Sequence, residues 1–373
     1  MQKKQKIFPE LKGKFNIIEK VGEGAFSKVY KAQNKQTGEI VALKRIFPTS
    51  SPERIFREAE ILYKLRGFDG VCYLSEGFRQ EDQITLVTPY FEFDEFRDFY
   101  HQLSIPEIKK YMISLLEALK YIHSKEIIHR DVKPGNFLYK VDKNHGMLID
   151  FGLAQTKNDI IELSKKKLNE INEFRKQNNI GFNEQNQITF IKINENQINP
   201  IKQKLVANDQ LTSIQKEIFS NPKPKKEDPR PILKAPRAGT RGFRAPEVLV
   251  KTYQQTSAID IWSAGVILLS FLSGVYPFFQ PLDDMIALAE LVAIFGTEKI
   301  NNMAAKFNRK VVCSNEQKGE DLKTVCKTIN KYFDELNPPD SCFDLLNKML
   351  DPDPMKRITA EECLIHPFLL DKN

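Results

Sequence analysis

The sequence predicts an α+β chain of two lobes: a small antiparallel β-sheet lobe with one main helix, then a larger α-helical lobe. Three observations carry this expectation. The first hundred residues are mostly short runs in which apolar and polar residues alternate. From residue 104 onward apolar residues recur at helical spacing. Further on, "IWSAGVILLSFLSGVYPFF" (261–279) is apolar on every face, as a helix at the centre of a core must be.

In chain order, "FNIIEKV" (15–21), "FSKVYKAQN" (26–34) and "EIVALKRI" (39–46) read as strands, the last two joined by the turn "KQTG". "PERIFREAEILYKL" (52–65) has helical composition and spacing, and "ITLVTPYF" (84–91) returns to strand. Ser104 and Glu107 form an S-x-x-E capping box with Pro106 in the first turn, and Ile108, Tyr111, Met112, Leu115, Leu116, Leu119 and Ile122 then mark one buried face. A second box, Ser257 with Asp260, is expected to start the apolar helix, and a third, Thr359 with Glu362, the last helix before "HPFLL". Residues 156–236 break the pattern, with 19 Asn/Gln among 81 residues and five prolines between 222 and 236. They read as an inserted, largely flexible excursion with one helix near 159–176.

Bulk properties narrow the function. At 373 residues, with 41% hydrophobic and 28% charged, the composition is that of a soluble globular chain. No stretch of uninterrupted apolar residues is long enough to span a membrane, and "MQKKQKIFPE" lacks the apolar core of a secretory signal. The five cysteines (72, 313, 326, 342, 363) are widely spaced and contain no CxxC pair, which argues against a zinc site or disulfide framework. The net charge of +7 is mild, and 156–236 alone supplies 15 basic against 10 acidic residues. No dense basic face or base-reading motif accompanies it, so direct nucleic-acid binding is not expected.

The chemistry gathers in four places. "VGEGAFSKV" (21–29) lies between two predicted strands, where Gly22, Gly24 and the small Ser27 let backbone amides approach phosphate oxygens and Val29 covers a flat base. "VALK" sets Lys44 in a strand that otherwise reads as buried, so it needs anions: Glu58 of the following helix, and phosphates. "IIHRDVKPGNFLYK" (127–140) then offers Asp131 to accept or orient the proton of an attacking hydroxyl, Lys133 to neutralise a transferred phosphoryl group, and Asn136 as an oxygen ligand. "LIDFG" adds Asp150, again suited to Mg²⁺. Phosphoryl transfer runs on positioning and charge neutralisation, which these residue types supply.

With "RAPE" (244–247), "DIWSAGV" (260–266) and Arg357, these motifs resemble the eukaryotic protein kinases, from Phe15 to Phe368. The resemblance implies the bilobal kinase fold, with a tail at 1–14, an N-lobe at 15–88, a hinge at 89–93 and a C-lobe at 94–373 interrupted by the insert. It implies ATP and Mg²⁺ as cofactors and a nucleotide site of Val21, Gly22, Glu23, Gly24, Ala25, Phe26, Ser27, Lys28, Val29, Ala42, Lys44, Thr88 and Tyr90. It assigns catalysis to Asp131, Lys133, Lys44 and Glu58, metal binding to Asn136 and Asp150, a structural pair to Glu247 and Arg357, and bracing of the catalytic loop to Asp260. Lys133 after "HRDV", together with "GTRGFRAPE", is similar to the serine/threonine class.

"DFGLAQ", "AGTRGFRAPEVL", "KVVCSNEQKGEDLKTVC" and the 93-residue interval from Gly152 to Ala245 resemble the cell-division-cycle seven kinases, which fire replication origins with a regulatory subunit. That implies a nuclear, partner-activated enzyme acting on proteins. Two departures are visible: Ser27 stands for the third glycine, and the insert has neither Cys nor His to hold a metal. A casein-kinase-two-like or cyclin-dependent-like branch and a pseudokinase scaffold are the alternatives; the scaffold reading predicts loss of Lys44, Asp131 or Asp150, all of which are present.

Two further sets of residues follow. "RAGTRGFR" places Arg237, Thr240, Arg241 and Arg244 where a kinase reads the residue after its acceptor, favouring Asp, Glu or phosphoserine there. One of these arginines, Arg244 first, could instead brace the segment. If Glu58 faces inward, Ile55, Leu62 and Leu65 share its face and Phe56, Ala59 and Tyr63 form an outer strip for a partner. Ile7 and Phe8 are the internal alternative for covering it.

Overall fold

A computed structural model of the chain describes residues 11, 13–24, 27–47, 51–177, 189–193 and 239–370. β1 (Phe15–Glu23), β2 (Ser27–Asn34), β3 (Ile40–Ile46), β4 (Glu76–Gln80) and β5 (Gln83–Pro89) form one antiparallel sheet in the order β1-β2-β3-β5-β4. Alternation sets its faces: Val41 and Leu43 of β3 enter a small core with Leu11, Phe15, Ala32 and Val87, while Ala42 and Lys44 point the other way. α1 (Pro52–Lys64) follows β3, with Pro52 in its first turn and the Ser51 hydroxyl accepting from the Arg54 amide at 3.4 Å.

The larger lobe is built on α2 (Ile105–Ser124). Its start carries the expected capping box, with Ser104 N donating to Glu107 Oε2 at 2.8 Å, and its inner face is sealed in the main core. After it come β6 (Ile127–Ile128), the hairpin of β7 (Phe137–Lys140) and β8 (His145–Leu148), and β9 (Gln155–Thr156), which pairs with β6. α3 (Lys157–Gln177) occupies the start of the insert, close to the expected 159–176. The central helix, α4 (Ala258–Ser273), is buried on all sides around Trp262, as its apolar sequence requires. α5 (Asp284–Phe295) and α6 (Thr297–Ala305) follow, and the Thr359–Glu362 box forms as expected.

Two features differ from the sequence reading. The Ser257–Asp260 box does not form: Ser257 has helical backbone angles, and Thr256 Oγ1 accepts from the Ala258 amide at 3.3 Å instead. Asp260 turns into the core, where two buried backbone N–H groups need an acceptor more than a helix end does. The insert also contributes a strand, β10 (Thr189–Ile193), parallel to β11 (Arg309–Cys313). The other edge of β11 is met by Asn301, whose side-chain amide exchanges hydrogen bonds of 2.8 and 2.9 Å with Val311. All five cysteines are free, and no helix among the described residues is long and apolar enough to cross a membrane.

Candidate active site

Two clusters of polar side chains meet where the lobes face each other. The first is a chain of charges. Antiparallel register sets Val29 opposite Lys44 and Ala42 opposite Thr88, so these four share the cleft face of the sheet. Lys44 Nζ lies 2.5 Å from Glu58 Oε1 and 2.8 Å from Asp150 Oδ1. Glu58 reaches it because Ile55, Ile61 and Leu62 anchor α1 in the core, and Arg54 Nε donates to the Gly152 carbonyl at 3.0 Å. Burial alone would lower the Lys44 ammonium, but the Glu58 and Asp150 carboxylates override it and hold it well above the usual lysine range. Burial alone would raise Asp150; the Lys44 ammonium overrides that and lowers it to about 2. Both groups are therefore charged throughout the neutral range.

The second cluster surrounds Asp131. Its Oδ1 accepts from the Thr240 amide at 2.7 Å and the Thr240 hydroxyl at 2.8 Å. Its Oδ2 lies 2.9 Å from Lys133 Nζ and 3.0 Å from Asn136 Nδ2. Lys133 Nζ also donates to the Thr240 hydroxyl at 2.7 Å, which closes a ring of three side chains. Thr240, expected among the substrate-reading residues, is thus committed to Asp131 and Lys133: its short side chain follows Gly239 into direct reach of them.

The clusters are joined by backbone. Asn136 immediately precedes β7 and its carbonyl accepts from the Ile149 amide at 2.8 Å, so Asn136 and Asp150 stand at one end of the β7–β8 hairpin. Because Asn136 Nδ2 is used on Asp131, its side-chain oxygen remains an acceptor. Asp150 is in the left-handed region (φ 61°, ψ 73°) and its side chain is 49% exposed, offering a carboxylate to the cleft.

Asp260 holds the loop from beneath. At 1% exposure it accepts from the His129 and Arg130 amides, each at 2.8 Å, and meets His123 Nε2 at 2.9 Å. Glu247 and Arg357 form a bidentate pair (2.8 and 3.0 Å) with side chains 1% and 0% exposed, the guanidinium lying over Trp262.

The remaining candidates are placed as follows. Gly22, Gly24 and Val29 line the β1–β2 turn, Ser27 is buried, and Val21 is exposed; Glu23 pairs with Lys28 across it at 3.3 Å. Tyr90, next to Pro89, lies under Lys31 Nζ at 4.7 Å from its ring centre. Ala25, Phe26 and Arg237 lie outside the described residues, as do Ile7 and Phe8. Arg244 donates to the Gly239 carbonyl (2.9 and 2.6 Å) and to Asp284 (2.5 Å), so it does brace the segment, while the exposed Arg241 donates to the Leu282 carbonyl. Phe56 and Tyr63 are 67% and 65% exposed. Ala59 is not part of that strip: it packs half-buried against the core, being only about 100° around the helix from Glu58. Gln155 and Gln255 also touch the catalytic loop at Arg130, and His123 meets the Asp260 that holds it; the sequence alone assigns no role to either glutamine or to His123.

A family model described as the protein kinase domain matches residues 15–170 and 222–369. The chain is 40% identical over 365 residues to a probable cell division control protein 7 homolog of Encephalitozoon cuniculi, covering 96% of this chain and 92% of that protein. It is 34% identical over 409 residues to a cell cycle serine/threonine-protein kinase of Schizosaccharomyces pombe (98% and 74% covered). It is 31% identical over 529 residues to the human cell division cycle 7-related protein kinase (100% and 92% covered). The five-stranded sheet, the helical lobe and the two polar clusters between them therefore have one explanation: the chain belongs to the protein kinase family, as a serine/threonine kinase of its cell-division-cycle seven branch.

Proposed function

We propose that the chain transfers the γ-phosphoryl group of Mg-ATP to serine or threonine in acidic sequence contexts of replication-initiation proteins, in the nucleus, under control of a regulatory subunit. The observation that carries the chemistry is the closed chain Glu58–Lys44–Asp150 beside Asp131, which presents one cation to phosphate, one carboxylate to metal and one carboxylate to a hydroxyl.

In this reading the β1–β2 turn and Lys44 hold the phosphates, with Val29, Ala42, Thr88 and Tyr90 around the base. Asp150 and the Asn136 side-chain oxygen supply two hard oxygen donors, which fits Mg²⁺ because it keeps water and phosphate oxygens in its remaining positions. Mg²⁺ supplies charge neutralisation across the phosphates when bound. Asp131 orients the acceptor hydroxyl and takes its proton, and Lys133 neutralises the phosphoryl group in transit. Thr240 keeps Asp131 and Lys133 in line through its two contacts with Oδ1 and its hydroxyl contact with Nζ.

Arg237, Arg241 and Arg244 supply the preference for an acidic or phosphorylated following residue. Arg244 already donates to Gly239 and Asp284, and further N–H groups of its guanidinium are left for substrate. The regulatory subunit docks on Phe56 and Tyr63, of which Phe56 lines a 530 Å³ groove together with Pro52, Arg57, Glu60 and Asp159. Its seat on the outer face of α1 secures the Lys44–Glu58 pair.

Nucleotide titrations and peptide arrays test this reading. Asp150→Asn should weaken Mg-dependent ATP binding by at least about tenfold, and arrays should show enrichment of Asp, Glu or phosphoserine after the acceptor. Unchanged Mg-ATP affinity, or a preference for basic residues at that position, contradicts it.

A further inference from the structure

Arg130 stands beside Asp131 with its backbone at φ 71°, a region a long side chain occupies only when its surroundings hold it there. It is 7% exposed, and a guanidinium so buried calls for compensation. Two of the groups that meet it are neutral amides. Gln155 Oε1 lies 2.5 Å from one terminal nitrogen and Gln255 Oε1 lies 2.9 Å from the other. The Gln255 amide is oriented independently, since its Nε2 donates to the Thr252 carbonyl at 3.1 Å and its oxygen must then face Arg130. Gln155 is placed by the β6–β9 pairing, opposite Ile128. Burial pushes the Arg130 guanidinium down to about 10, Asp260 opposing the fall and Arg57 adding to it.

The rest of the residue is held as firmly. Its N–H donates to Asp260 Oδ1 at 2.8 Å, and a methyl group on Gly239 would sit 2.5 Å from its carbonyl oxygen. Arg130 therefore touches both flanks of the long insert, Gln155 before it and Gly239 after it, and the frame formed by Gln255 and Asp260. Rotation of its backbone would carry the Asp131 carboxylate away from Thr240.

We propose that Gln155 and Gln255 are positioning residues: their amide oxygens clamp the Arg130 guanidinium and so hold Asp131 in register with both ends of the activation segment. The clamp's catalytic consequence rests on Asp131 acting in phosphoryl transfer, as proposed above.

The test uses the full chain with its activating subunit. Gln155→Met and Gln255→Met keep side-chain length and remove the acceptor. Each should lower kcat on a fixed acceptor peptide by about tenfold while KM for ATP stays within about twofold. Gln155→Glu and Gln255→Glu restore an acceptor and should return kcat to within about threefold of wild type. Amide hydrogen exchange over residues 129–133, which needs no turnover, should quicken in the Met variants and slow again in the Glu variants. Met variants with wild-type kcat and exchange, or a loss that Glu does not restore, would each overturn the clamp. A wild type that transfers no phosphate would instead count against the proposed function, and the exchange measurements would still decide the clamp.

Discussion

Gly239 shows how tightly the catalytic loop is fitted to the segment that follows the insert. Its φ is 94°, and an added Cβ would lie 2.5 Å from the Arg130 carbonyl oxygen, which is backbone and cannot swing aside. Gly239→Ala should therefore pull Thr240 off Asp131 and lower kcat by about tenfold or more, with Mg-ATP affinity unchanged; steady-state kinetics beside nucleotide titration checks this. Asp150 makes a prediction about pH. Its carboxyl is lowered to about 2 in the folded chain, so the stability it contributes is present above the unfolded value and lost as pH falls through the interval below about 4. Asp150→Asn should flatten that part of the stability–pH profile, as measured by thermal unfolding at a series of pH values. Lys44 shifts upward, so its contribution is complete at neutral pH and is lost only at strongly alkaline pH.

At the scale of elements, α1 has two faces with different tasks in the proposed function. One face carries Glu58 to Lys44, and the other leaves Phe56 and Tyr63 exposed. Phe56→Ala with Tyr63→Ala should reduce activation by the regulatory subunit several-fold without lowering the unfolding temperature of the free chain, because neither ring lies in the core. Full activity of the free chain, unchanged by the double substitution, would contradict that role. The same helix shows why so much was readable in the sequence: a period near 3.6 sorted Ile55, Glu58 and Leu62 inward and Phe56 and Tyr63 outward. Ala59 was misplaced because an intermediate angle on a helix does not decide burial. The box expected from Ser257 and Asp260 failed for a different reason. Local spacing proposes a cap, but a distant loop with two buried N–H groups outcompetes it for the carboxylate. β10 was missed because the alternation in "TFIKI" is brief, and its partner β11 lies more than a hundred residues away.

At the scale of the whole molecule, long-range pairs decide how the parts are held. Glu247 and Arg357 are 110 residues apart and almost completely buried. Glu247→Gln leaves the guanidinium without its counter-charge and should cost about 3–5 kcal/mol of stability, read from urea unfolding. The residue types and order of the site were legible in the sequence, because phosphoryl transfer needs recognisable groups at short spacings: Asp131, Lys133 and Asn136 in one turn, Asp150 after one strand. What joins them was not. Asp260 under the catalytic loop, Gln155 and Gln255 on Arg130, and Thr240 on Lys133 are contacts between segments that only the folded chain brings together.

In the proposed function Asp131 acts on the acceptor hydroxyl while Lys44 and Asp150 act on the nucleotide. Asp131→Asn, purified with its activating subunit and assayed for transfer of labelled γ-phosphate to an acidic serine peptide, tests it most directly when Mg-ATP binding is titrated on the same preparation. Transfer should fall by at least about a hundredfold with Mg-ATP affinity within about twofold of wild type. Transfer at the wild-type rate, or a loss that follows equally from failure to bind Mg-ATP, would contradict the account.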